Sequence, residues 1–328
     1  DTYNTAVGYG AGLSVTTGVQ NTIIGASSGD ALTTGTDNVA VGYLSLSTED
    51  GHGRNVAIGK ASLRNLDAGA DAYNVAVGFE AGTAVTTGIY NTLIGGEAAI
   101  TLTTGEKNTA FGYRALYSNA DGDNNTAIGY RALYSMDPSG NADMYNVAVG
   151  HDAGLSLTTG EQNTLIGGHA GDALTDGNTN VAVGTYALSA ETRGDRNTAV
   201  GRQALASQNN TSDTDVYNTA VGYNAGLNVT TGIQNTIIGG LAGDALTTGG
   251  SNTAVGYQTL STEDTGTRNT ALGYQALRDL NYDGTGHNVA VGYQSGVSVS
   301  TGVQNTIVGA LAGDAVTTGG NNVAVGYQ

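Results

Sequence analysis

Four histidines, His52, His151, His169 and His287, and two acidic turns, STEDG at 47–51 and ADGDNN at 120–125, are the residues whose types could do chemistry. An imidazole beside a hydroxyl and a carboxylate can serve nucleophilic or acid–base catalysis, and clustered carboxylates can hold Ca²⁺. Neither pattern is complete. The histidines occupy different places in the repeat described below, and no Ser–His–Asp grouping recurs. ADGDNN lacks the glycine and distant glutamate of an EF-hand loop, and the glycine-rich nonapeptide of calcium-binding rolls is missing. The glycines of GYGAG at 8–12 belong to the repeat rather than to a dinucleotide loop. The expectation is a protein that is not an enzyme, with no catalytic residue, cofactor or metal site.

What would position any of these residues is a short repeat. The pattern N-[TV]-[AIL]-[VILF]-G begins at 19 asparagines, from Asn4 to Asn322. Three intervals of 17 residues are followed by one of 19 or 21, so four units make a block. The domain expectation is a single array over 1–328, with blocks at 4–73, 74–145, 146–217 and 218–287 and a partial block at 288–328.

Composition agrees with an array. There are 53 glycines in 328 residues, one proline, no cysteine or tryptophan and two phenylalanines, too few large side chains for an ordinary globular core. Without cysteine there are no disulfides or thiolate metal sites. The net charge of −17, with only 11 basic residues scattered along the chain, argues against a nucleic-acid partner. No apolar run is long enough to insert in a membrane, and the chain opens on a repeat rather than on a signal peptide.

A short fixed period predicts a solenoid in which each unit buries its apolar face only by stacking on its neighbours. Seventeen residues rich in Gly, Thr, Val and Asn suit strands and tight turns, which predicts an all-β parallel β-solenoid of about 19 coils, each rising about 4.8 Å. Numbered from its Asn, the unit reads as a strand at positions 2–6, a second strand at 8–12 and a turn at 13–17. Position 4 is β-branched in 17 of 19 units and position 3 is always Ala, Ile or Leu, so the first strand is apolar on both faces. One face can line the coil; the other calls for a partner surface, which predicts self-association. Positions 9 and 12 exchange volume. Gly12 goes with Val15 and Gly29 with Leu32, whereas Leu46 and Leu116 go with the polar Glu49 and Asn119.

Two columns never vary. The asparagines (Asn4, Asn21, Asn38, Asn55 and onward) are read as bend-forming, laddered amides, and the glycines (Gly8, Gly25, Gly42, Gly59 and onward) as backbone that excludes a side chain. The longer turns closing each block, 67–73, 136–145, 209–217 and 279–287, are the candidate receptor-contact loops, through Asp67, Asp71, Asp137, Asp143, Asp213, Asp215 and Asp283. Tyr73, Tyr145 and Tyr217 end three of them, as pins. Tyr also fills position 6 in nine units, a column that could cover the edge of the roll or stack on sugar rings.

Units such as NVAIGKASL (55–63), NVAVGYLSL and NTAVGYNAG resemble the head repeats of trimeric autotransporter adhesins, and more closely the NTAVGYxAL repeats of phage tail-fibre-like proteins. The resemblance covers nearly the whole chain. It implies a left-handed β-roll, a homotrimeric fibre and an extracellular or virion-surface setting. The expected function is structural and adhesive, with rigid reach and contact with a host receptor or cell-surface glycan. A bacterial surface adhesin or filament is the alternative, and a tail-spike glycan hydrolase a third. The autotransporter units are usually shorter than seventeen residues, and the TTG turn here is longer.

Overall fold

The computed structural model describes residues 2–328, and every regular element among them is a β-strand. The chain forms two compact units, Asp1–Asn163 and Thr164–Gln328. In both, positions 2 to 4 of each coil make a three-residue strand that pairs in parallel, in register, with its counterpart one coil on. The first unit has nine such strands, from Thr5–Val7 to Val147–Val149, with Thr5 opposite Thr22 and Ala127 opposite Ala148. The second has ten, from Thr164–Ile166 to Val323–Val325, with Ala220 opposite Ile237. It also holds a minor parallel pair, Gly194–Asp195 with Thr214–Asp215. The fold is an all-β parallel β-solenoid with one coil per sequence repeat.

The strand is shorter than the 2–6 expected because the glycine at position 5 takes φ between 127° and 147° in every coil, which ends extended pairing. The second strand at 8–12 does not form. Positions 7 and 9 and the residue before each asparagine are left-handed throughout, and where these are not glycine φ lies between 46° and 63°. Alternating handedness curls this stretch into a continuous turn, for which a leucine such as Leu116 accepts a cost of about 1–2 kcal/mol. Complete burial of the leucine side chain offsets it, at about 1.5–3 kcal/mol. Backbone pairing nevertheless continues around the coil. The position 9 amide donates to the position 8 carbonyl of the next coil, as Leu116 does to Ala132 at 2.9 Å. The position 7 amide donates to the position 6 carbonyl of the coil before, as Ser27 does to Tyr9 at 2.8 Å.

The interior is a stack of positions 3, 9 and 12 with the small residue of position 8, mostly Ala or Ser, beside them. Position 3 points inward and is fully buried at Ile23, Ala40, Leu93 and Ala127, while positions 2 and 4 point out. In the second coil of each block position 3 is Ile or Leu, and that side chain fills the space that position 9 leaves empty. A Cβ on Gly82 would lie 2.6 Å from Leu93 Cδ1, and one on Gly29 would lie 2.9 Å from Leu32 Cδ1 and 3.4 Å from Ile23 Cγ2. The exchange between positions 9 and 12 therefore includes position 3, as close packing demands.

Candidate functional site

The invariant asparagines are joined side chain to backbone along the stack. Asn4 Oδ1 accepts the Asn21 amide at 2.9 Å, and Asn21 and Asn38 Oδ1 accept the Asn38 and Asn55 amides at 3.0 Å each. Each Nδ2 donates across its own coil: Asn4 to the Gly18 carbonyl and Asn21 to that of Gly35, both at 2.8 Å, and Asn38 to that of His52 at 3.1 Å. Asn55, whose coil is the longer one, turns instead to Gly53 at 3.2 Å. Amide-to-amide bonds add to this only in places, as between Asn21 and Asn4 at 3.2 Å. The glycines are equally constrained. A Cβ on Gly8, Gly25, Gly42 or Gly59 would stand 2.6, 2.5, 2.4 or 2.2 Å from the carbonyl oxygen of the next glycine in the column.

The block-closing turns are organised from the coil before them. Position 12 of the third coil, which is apolar in the other coils except at Gln208, holds Glu49, Asn119, Glu191 or Glu263, each fully buried. Glu191 is the most engaged: Oε1 accepts the amides of Thr192, Arg193, Gly194 and Asn210, and Oε2 accepts Gln208 Nε2 and Asn210 Nδ2. Glu263 accepts the Gly266 amide at 2.7 Å and, from the extended turn itself, that of Tyr282 at 3.3 Å. Glu49 takes the amides of His52 at 3.0 Å and Ala68 at 3.4 Å. Burial pushes the Glu49 and Glu263 carboxyls above the usual carboxylate range, against the pull of these amides. Asn119 shapes only its own coil, accepting the Gly122 amide and donating to its carbonyl, each at 2.9 Å.

A second set of contacts pins the end of each turn. Arg54 pairs with Asp71, donates to Tyr73 Oη at 2.8 Å and lies over that ring at 5.3 Å. Arg196 pairs with Asp215 and covers Tyr217 in the same way. Asn124 donates to Asp143, whose backbone bridges to Asp123. Asp283 accepts from the Thr265 hydroxyl at 2.8 Å. Of the seven loop aspartates, then, Asp71, Asp143, Asp215 and Asp283 face back onto the preceding coil. Asp67, Asp137 and Asp213 stand at exposed positions, Asp213 at 77% side-chain exposure with Arg193 at 3.9 Å.

The aromatic column is a ladder of stacked rings. Tyr113 and Tyr130 lie 5.8 Å apart, Tyr130 and His151 5.0 Å, Tyr257 and Tyr274 5.6 Å, and Tyr274 and Tyr293 5.3 Å. A parallel pair, Tyr117 and Tyr134, stacks at 4.9 Å one step round the coil. Where the column starts above a glycine the ring leans onto it: a Cβ on Gly96 would be 3.4 Å from Tyr113 Cδ2. Stacking on a sugar needs a free ring face; within these stacks neighbouring rings cover the faces along the column, whereas Tyr43 and Tyr223, each 53% exposed, stand outside the stacked pairs.

Among the histidines, His52 is drawn into a cluster with Glu49 and Asp50, in which one ligand atom from each lies within 4.8 Å of the others. His151 joins the aromatic ladder, and His169 stacks on Tyr186 at 5.0 Å while its Nδ1 sits 3.1 Å from Asp172. The ADGDNN turn is tied to the coil before it: Asp121 accepts the hydroxyls of Thr103 and Thr104, which hold its carboxyl below the usual range, and Asp123 accepts the Glu106 amide. Sequence reasoning missed the buried carboxylates as anchors, although their place one coil before each long turn was visible. It named His52 only as one of four scattered histidines, although that residue stands where the other third coils have glycine. No protein-family model matches the chain, and no curated protein is significantly similar to it.

Proposed function

We propose that the chain is a rigid shaft segment of an extracellular or virion-surface fibre, most like a phage tail fibre, in which three copies associate through the outward face of the strand column. Its role is mechanical and adhesive rather than catalytic. The turns that close each block, three of them tied down by a buried carboxylate of the coil before, are the surface offered to a host receptor or cell-surface glycan.

One observation carries the reading. Position 4 is aliphatic or aromatic in every coil, yet in the single chain it is half-exposed: Ile24 39%, Ile58 37%, Phe111 52% and Ile128 37%. A water-facing column of β-branched residues in strict register is what a second apolar surface would cover. Sedimentation equilibrium of the purified chain tests it. A mass of three times 32.8 kDa is expected, and a soluble monomer overturns the reading. Val149→Asp separates assembly from folding, because Val149 points outward: the variant should keep its coil and lose its partners.

A further inference from the structure

We infer that the turn of the third coil binds a divalent transition-metal cation through Glu49, Asp50 and His52. Position 15, where His52 stands, is glycine in every other 17-residue coil. The reason for glycine is local and severe in the other third coils that carry a buried glutamate. A Cβ on Gly266 would lie 2.3 Å from Glu263 Cδ, and one on Gly194 would lie 2.7 Å from Glu191 Oε2. In the first block a histidine takes this place against the grain of the repeat, and its imidazole stands beside the buried carboxylate. Departures from a local rule with no packing gain collect at functional sites.

The atoms left over are those a cation would use. His52 Nδ1 is shielded from solvent and has no hydrogen-bond partner, and Glu49 Oε1 is 3.5 Å away. Glu49 is fully buried and fixed by the His52 and Ala68 amides, so it provides a preset oxygen. Asp50 is exposed and supplies the adjustable arm. One imidazole nitrogen with two carboxylate oxygens suits zinc, cobalt, nickel or copper, with water completing the shell. Calcium and magnesium prefer oxygen alone and would leave Nδ1 unused. The fourth block is a built-in control: Glu263-Asp264-Thr265-Gly266 repeats the two carboxylates without the imidazole.

The test uses the full chain stripped with a chelator, then titrated with ZnCl₂ by calorimetry and with CoCl₂ by visible absorption. Wild type is expected to show a saturable site that excess Ca²⁺ does not displace. His52→Gly, which restores the residue of the other coils, should melt as wild type does and lose one equivalent of bound metal, or at least tenfold in affinity at that site. Asp50→Asn should weaken binding less. Equal binding by wild type and His52→Gly, or no saturable binding by wild type, overturns the inference. It stands apart from the fibre reading, since neither result depends on the oligomeric state.

Discussion

Glu263 and Tyr282 are nineteen residues apart, yet the buried carboxylate of the first accepts the backbone amide of the second at 3.3 Å, tying an extended turn to the coil beneath it. Glu263→Ala would leave that amide and those of Asp264 and Gly266 without their acceptor. An orphaned buried donor costs about 1–3 kcal/mol. The expected result is a loss of about 2–4 kcal/mol in urea unfolding, with new protease cleavage within 279–287 before global unfolding.

The same residue sets a pH dependence. A carboxyl raised by burial binds its proton more tightly folded than unfolded, so its contribution is fully present below the ordinary carboxyl value of 4.5. That contribution is lost as pH rises through the elevated folded value. Glu263→Gln has no such proton to lose. The melting temperature of the variant minus that of wild type should therefore increase from pH 4 towards pH 8, and Glu49→Gln should behave alike. A difference that is flat or falls with pH would sink this account.

Gly112 faces the Gly129 carbonyl so closely that an added Cβ would lie 2.3 Å from the oxygen, at a φ of 145°. Gly112→Ala must force adjacent coils of backbone away from each other. A loss above about 3 kcal/mol is expected in thermal or urea unfolding. Gly140, at the tip of an extended turn with nothing near its Cβ, has a φ of 81° and should lose only about 1 kcal/mol as alanine.

Asn91 accepts the Asn108 amide at 2.9 Å and donates to the Gly105 carbonyl at 2.9 Å, both buried. Asn91→Ala should cost about 2–4 kcal/mol in unfolding free energy. Asn91→Asp keeps the acceptor, removes the donor and buries a charge, so it should be at least as damaging at neutral pH and recover to some extent in acid, read by melting at both pH values.

The period was legible because each coil repeats a complete set of backbone constraints, and the Asn and Gly letters are where those constraints allow no substitute. Which face of that strand turns inward was not legible, because positions 3 and 4 are both apolar; only the packing buries Ala40 and Ile23 and leaves Ile24 facing out. The strand at 8–12 was misjudged because apolar alternation there resembles an extended segment, whereas Leu46 and Leu63 occupy left-handed backbone that leucine seldom adopts. Nothing in residue type signals that geometry. The loop anchors were half visible: Glu49, Glu191 and Glu263 stood out as polar letters in an apolar column. Their burial and their partners depend on coils stacked one above another, which only the fold brings together. His52 was legible as an oddity, and its chemistry only once Glu49 lay beside it.

The Asn column also fixes how such a chain can change length. The asparagines bond within their own coil or to an adjacent one, as Asn74 does with Gly88 and Asn91, and the bonds of the column described above reach no further than one neighbour. Removing residues 74–145 would join Tyr73 to Asn146, a junction chemically the same as Tyr145 to Asn146 in the intact chain. A block can thus be deleted or duplicated without inventing a new interface. Reach is heritable in whole steps, through unequal recombination, while the sequence within each step stays under the same constraints.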